Sequence, residues 1–229
     1  MEDYLKDLNP EQREAVEITQ GPLLIIAGAG AGKTKTLTYR ILHLIQTGVA
    51  PSNILAITFT NKAAKEMRER TLSLLRTNRG SGLSLAWDER PFVSTFHALG
   101  VHILKENAAR LGLPRHFGIF DKSDGKRAVK DALEKMGLDP KQYEPGKIQS
   151  VISREKGNFV TYEEYAEAAG GDFFSNIVAK AWGHYEKTLR EEKALDFDDL
   201  LLRTAILLRD NEEVREHYAD TWKYVHIDE

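Results

Sequence analysis

At 229 residues, with 41% hydrophobic and 29% charged side chains, the chain has the make-up of a globular protein of one or two domains. Its formal net charge of −3 leaves no chain-wide basic footprint for nucleic acid, although a local positive groove is compatible with that total. The absence of cysteine excludes disulfides and thiolate metal sites, and no apolar run approaches the roughly 20 residues that span a bilayer. With an acidic start at Met1-Glu2-Asp3-Tyr4, the expectation is a cytoplasmic protein without a leader or a membrane partner.

In chain order, Asn9-Pro10-Glu11-Gln12 predicts a helix start, with Asn9 as N-cap, Pro10 at the first position and Gln12 three residues past the cap. Ala15 and Ile18 are expected on its inner face until Gly21-Pro22 stops it. The apolar run 23–27 predicts a buried strand, and Leu37, Ile41, Leu44 and Ile45 predict a helix over about 33–47. A second buried strand is predicted at Ile54–Phe59, then a charged amphipathic helix over about 61–76 and a loop at Arg79-Gly80-Ser81-Gly82. A third strand at Phe92-Val93-Ser94 leads into a helix carrying Phe96, Leu99, Ile103 and Leu104. This alternation predicts an α/β fold with a parallel sheet. From about 112 to 192 only helical patterns are found, read as an all-helical insertion of roughly 80 residues. There Arg154, Lys156 and Lys180 read as a solvated charged face. Asp196, Asp198 and Asp199 read as acids at a helix start, followed by a helix over about 211–221 and a strand at 223–227.

The run Ala27-Gly28-Ala29-Gly30-Ala31-Gly32-Lys33-Thr34 sits between the predicted strand at 23–27 and the helix after it. Glycines let the backbone curl into a nest of N–H groups, and the helix N-terminus adds its positive dipole end, so the segment reads as a phosphate-binding P-loop. Lys33 suits the β- and γ-phosphates and Thr34 suits Mg²⁺. Ala27 stands where the strict pattern has Gly. Such a site needs a metal-holding carboxylate at the end of a buried strand, a place matched by Asp228; Glu229 is then positioned to deprotonate the attacking water.

Several of these segments together resemble the UvrD/PcrA/Rep-type superfamily 1 DNA helicases: Asn9-Pro10-Glu11-Gln12, the 27–34 loop, Thr58-Phe59-Thr60-Asn61-Lys62-Ala63-Ala64, Ser94-Thr95-Phe96-His97, Leu195-Asp196-Phe197-Asp198-Asp199 and Val225-His226-Ile227-Asp228-Glu229. The resemblance covers essentially the whole chain and makes Ala27 ordinary. It implies a RecA-like P-loop domain over 1–110 and 191–229, truncated within helicase motif II, with a helical insertion over 111–190. It assigns Gln12 to adenine and places Lys35 where many members carry an arginine against that base. It implies contacts to single-stranded DNA, and to junctions of single- and double-stranded DNA, from Phe59, Asn61, Lys62, Thr95 and His97. On the residues alone, Phe59 at a strand end reads as core rather than as a stacking platform, and Thr60-Asn61 as a helix cap. The implied activity is that of an ATP- and Mg²⁺-dependent 3′ to 5′ DNA helicase in repair or replication. The alternatives are a helicase–nuclease subunit of the AddA/RecB type and a nucleotide-switched protein-binding module. The family's arginine fingers, worth roughly 10³–10⁵ in rate, come from a second RecA-like domain, so this fragment alone is expected to be inactive as a helicase.

Overall fold

The computed structural model describes residues 4–79 and 90–228. They form two compact units, Met1–Phe96 with Glu212–Glu229, and His97–Asn211.

The first unit is built on a parallel sheet. β1 (Ile54–Thr58) lies between β2 (Phe92–Thr95) and β5 (Tyr224–Asp228), with Ala56 level with Val93 on one side and His226 on the other. All five β1 residues are buried, as a continuous apolar run in a central parallel strand requires. α2 (Lys33–Gln46) and α3 (Asn61–Arg79) supply its core, where Ile41, Leu42 and Leu44 meet Ile54, Met67 and Leu75. Each such aliphatic side chain contributes about 1.5–3 kcal/mol by leaving water. α1 (Pro10–Glu17) starts at the predicted cap, and α10 (Glu212–Thr221) precedes β5. Asn53 Nδ2 donates to the Thr221 carbonyl at 2.9 Å, tying the start of β1 to the end of α10.

Two expectations fail in this unit. Residues 22–28 join no ladder, and Leu24 and Ile26 are 82% and 88% exposed, so the buried strand at 23–27 is absent among the described residues. An apolar run states a preference for burial; the strand itself needs a neighbour with free backbone groups. In α1, Val16 is the buried residue, while Ile18 lies at the C-cap and is exposed. The loop predicted at 79–82 falls largely outside the described residues, with Arg79 closing α3.

The second unit is mainly helical: α4 (Phe96–Glu106, whose first residue belongs to the first unit), α5 (Lys122–Lys135), α6 (Pro145–Gly157), α7 (Tyr162–Ala168), α8 (Phe173–Glu191) and α9 (Phe197–Asp210). Trp182 of α8 is fully buried among Val129, Leu133, Ile148 and Ile152. α4 passes so close to α9 that a Cβ on Gly100 would fall 2.5 Å from the Leu200 carbonyl oxygen. The region expected to hold only helices contains a strand. β3 (Gly118–Phe120) pairs in parallel with β4 (Ala194–Asp196). Three residues are too few to show a period of two, so this pairing left no pattern in the sequence.

Candidate nucleotide site

The phosphate loop is shaped by two residues in the left-handed region, Gly30 (φ 77°) and Gly32 (φ 85°), and by a turn in which Ala31 N–H donates to the Gly28 carbonyl at 3.2 Å. Gly32 is the N-cap of α2, and no side chain caps the helix there. The first turn carries Lys33 and Lys35 and no acid, the reverse of what the helix dipole favours at this end. Uncapped N–H groups, a positive dipole end and added cations together suit an anion. Lys33 Nζ donates to the Ala27 carbonyl at 2.9 Å and to that of Gly28 at 3.4 Å, which holds the ammonium against the loop.

Across 194 residues of sequence, Thr34 Oγ1 donates to Asp228 Oδ2 at 2.8 Å. Asp228 is buried at the end of β5, and its register opposite Thr58 fixes its height on the sheet. The two groups that the sequence reading paired as metal ligands therefore meet. Both are hard oxygen donors, the set that Mg²⁺ accepts. Glu229 lies outside the described residues.

Gln12 reaches the loop from α1. Its Nε2 donates to the Ala31 carbonyl at 3.0 Å, while the Asn9 N–H donates to its Oε1 at 3.2 Å in a capping box. Lys35 points the other way, donating from Nζ to the Asp7 carbonyl and lying 5.6 Å from the Tyr39 ring centroid. That side chain ties the N-terminal segment to α2.

The remaining predicted residues divide between the units. In the first, Phe59 is 63% exposed just past β1, with its ring tilted against Phe96 at 5.1 Å. Thr60 Oγ1 accepts the Ala63 N–H at 3.1 Å and so caps α3, whose first two residues are Asn61 and an exposed Lys62. Thr95 is buried at the end of β2. In the second unit, His97 is half-buried and meets the exposed Phe197 ring edge-on at 5.5 Å. The sequence reading named Phe197 only within the 195–199 segment and gave it no role of its own.

Lys156 corrects the reading of a solvated charged face. It is 2% exposed, and its Nζ lies 2.9 Å from each of Glu186, Asp196 and Asp199. Burial alone would depress its pKa, but Asp199, Asp196 and Glu186 outweigh burial and raise it, so the ammonium stays charged. Tyr185 donates its hydroxyl to Asp196 at 3.0 Å, and burial together with that carboxylate pushes its pKa up. Asp196 and Asp199 form a capping box at the start of α9, so the predicted helix-start acids serve a second role as an interior counter-charge. Arg154 and Lys180 remain exposed.

A glycine-rich loop before an uncapped helix, facing a strand-end aspartate, defines a P-loop nucleotide-binding domain. A family model described as the UvrD/REP helicase N-terminal domain matches residues 8–229, and the chain belongs to that family. It is 44% identical over 226 residues to the ATP-dependent DNA helicase PcrA of Bacillus subtilis, an alignment covering 98% of this chain and 29% of the relative. Proteins of the same name from Staphylococcus epidermidis and Staphylococcus aureus are 43% and 42% identical, with all of this chain and 30% of each relative covered. The chain thus spans about three tenths of the length of these relatives. Among the described residues, no helix is long and apolar enough to cross a membrane.

Proposed function

We propose that this chain is the ATP-binding part of an ATP-dependent DNA helicase moving 3′ to 5′ on single-stranded DNA, in repair or replication. The observation that carries the reading is the 2.8 Å bond from Thr34 to Asp228, which brings the two halves of a nucleotide site together from opposite ends of the chain. The phosphates lie on the N–H groups of the loop and the start of α2, with Lys33 leaving its carbonyl partners for the β- and γ-oxygens. Thr34 Oγ1 and Asp228 Oδ2 are the groups that would hold Mg²⁺, which neutralises phosphate charge when bound. Glu229 takes the proton of the attacking water, and Gln12 faces adenine. The RecA-like domain runs over 1–110 and 191–229, with the insertion at 111–190.

In the first unit, DNA contacts come from the exposed Phe59 ring with Asn61 and Lys62; in the second, from His97, with Phe197 as its edge-on neighbour. The exposure of Phe59 supports stacking, because a base needs a free aromatic face. Thr95, being buried, is the weakest member of this set. Titration of the 229-residue chain with ATP and Mg²⁺ tests the reading. Saturable binding is expected, without efficient hydrolysis or unwinding. Robust DNA-stimulated ATPase activity from this chain would contradict the dependence on a second domain.

A further inference from the structure

The Gln12 amide is held at both ends. The Asn9 side chain accepts the Gln12 backbone N–H at 2.8 Å and sets the first turn of α1. The Asn9 N–H then donates to Gln12 Oε1 at 3.2 Å, and Gln12 Nε2 donates to the Ala31 carbonyl at 3.0 Å. Turning the amide over would set Nε2 against an N–H and Oε1 against a carbonyl oxygen, so the order of donor and acceptor is fixed. The loop makes room for this arrangement: a Cβ on Gly32 would fall 2.9 Å from Nε2.

A primary amide offers two lone pairs and two N–H groups. The bonds to Asn9 and Ala31 use one of each, which leaves one acceptor site and one donor site on the same planar group, in a fixed order. Adenine presents an N6–H donor beside the N7 acceptor and matches that pair; guanine presents two acceptors, O6 and N7, and sets O6 against Oε1.

We infer that Asn9 is a positioning residue for base selectivity: its capping box fixes which end of the Gln12 amide serves as acceptor, so it sets the preference for ATP over GTP without touching the nucleotide. The inference rests on the reading that Gln12 faces the base.

The test measures affinities of the 229-residue chain for ATP, GTP and inorganic tripolyphosphate, each with Mg²⁺. Asn9→Ala is expected to shrink the ATP-to-GTP preference about fivefold, the usual scale for a lost N-cap, with tripolyphosphate affinity unchanged. Asn9→Asp keeps the capping oxygen and is expected to keep the preference. Glu14→Gly loosens α1 while leaving the Asn9–Gln12 box in place, so a ratio that shrinks in Asn9→Ala and holds in Glu14→Gly separates positioning from mere structural support, and an equal loss in both overturns the role of Asn9. A wild-type ratio in Asn9→Ala, alongside a collapsed ratio in Gln12→Ala, overturns the role of Asn9 and leaves the adenine contact standing. An unchanged ratio in Gln12→Ala, or no ATP preference in the wild-type chain, overturns the adenine contact and this inference with it.

Discussion

The helix starts of the two units show one physical situation resolved in opposite ways. α9 in the helical unit follows β4, and its orphan N–H groups are met by its own residues: Asp196 caps, Asp199 closes the box, and Lys156 balances both. α2 in the nucleotide unit follows the glycine loop and has neither a capping side chain nor an acid in its first turn. The first arrangement is closed, and its groups contribute to folding. The second leaves its N–H groups uncapped and puts two lysines in its first turn, a cost to stability that an anion offsets. A helix N-terminus becomes a binding site when the chain withholds the acids that would otherwise fill it.

The buried bases repeat the contrast. Lys156 sits among three carboxylates and stays charged. His226 on β5 is buried, its Nδ1 has no hydrogen-bond partner among the described residues, and burial with the nearby Arg40 holds its pKa down to about 4. One base is kept as an ion and the other as a neutral ring.

The sharpest way to break this comparison is Lys156→Met. It removes the buried cation shared by Glu186, Asp196 and Asp199, with Arg203 left 3.4 Å from Glu186 and 3.6 Å from Asp199, and is expected to lower stability by about 3–5 kcal/mol in urea unfolding. A loss below about 1 kcal/mol would mean that the cluster is solvated after all. A second test is the pH response of His226. Its folded pKa is below the unfolded value of about 6.5, so the unfolded state binds more protons between the two. Stability is therefore full above pH 6.5 and falls as pH drops toward 4. Between pH 7 and pH 5 the expected loss is on the order of 2 kcal/mol, and His226→Leu should flatten that slope. A slope unchanged by the substitution would place the titration elsewhere. Lys33→Ala should weaken both ATP and tripolyphosphate about a hundredfold while leaving the melting temperature nearly unmoved, because its present partners are only loop carbonyls. Equal affinity in mutant and parent would remove the loop from the nucleotide site. The smallest effect belongs to Phe59→Ala, expected to weaken oligo(dT) binding by about 1–3 kcal/mol with little change in stability, since the ring is already exposed. A large drop in stability instead would return Phe59 to the core.

Much of this was legible before any coordinates. The Asn9 cap, the glycine-rich loop leading into α2, β1 as a buried run and the Asp at the end of β5 are local signals carried by a few neighbouring residues, and all four stand where expected. The misreadings concern partners distant in sequence. Lys156 sits in a stretch of polar residues and looks solvated; its counter-charges lie 30–43 residues away on α8, at the end of β4 and on α9. The run 23–27 reads as a strand because it is apolar, yet no strand of the described sheet pairs with it. β3 leaves no pattern because three residues cannot show one, and its existence depends on Lys193–Asp196 lying alongside.

Local chemistry by itself determined the phosphate loop, the helix starts and the acid at the strand end, because glycine freedom, capping and dipole preference act over a few residues. Only the tertiary structure decided that Thr34 meets Asp228, that the Gln12 amide has a fixed order against Ala31, and that Lys156 is an interior ion. Each of those depends on which distant groups exclude water and supply the matching donor or acceptor, a property of packing that no local window of sequence contains.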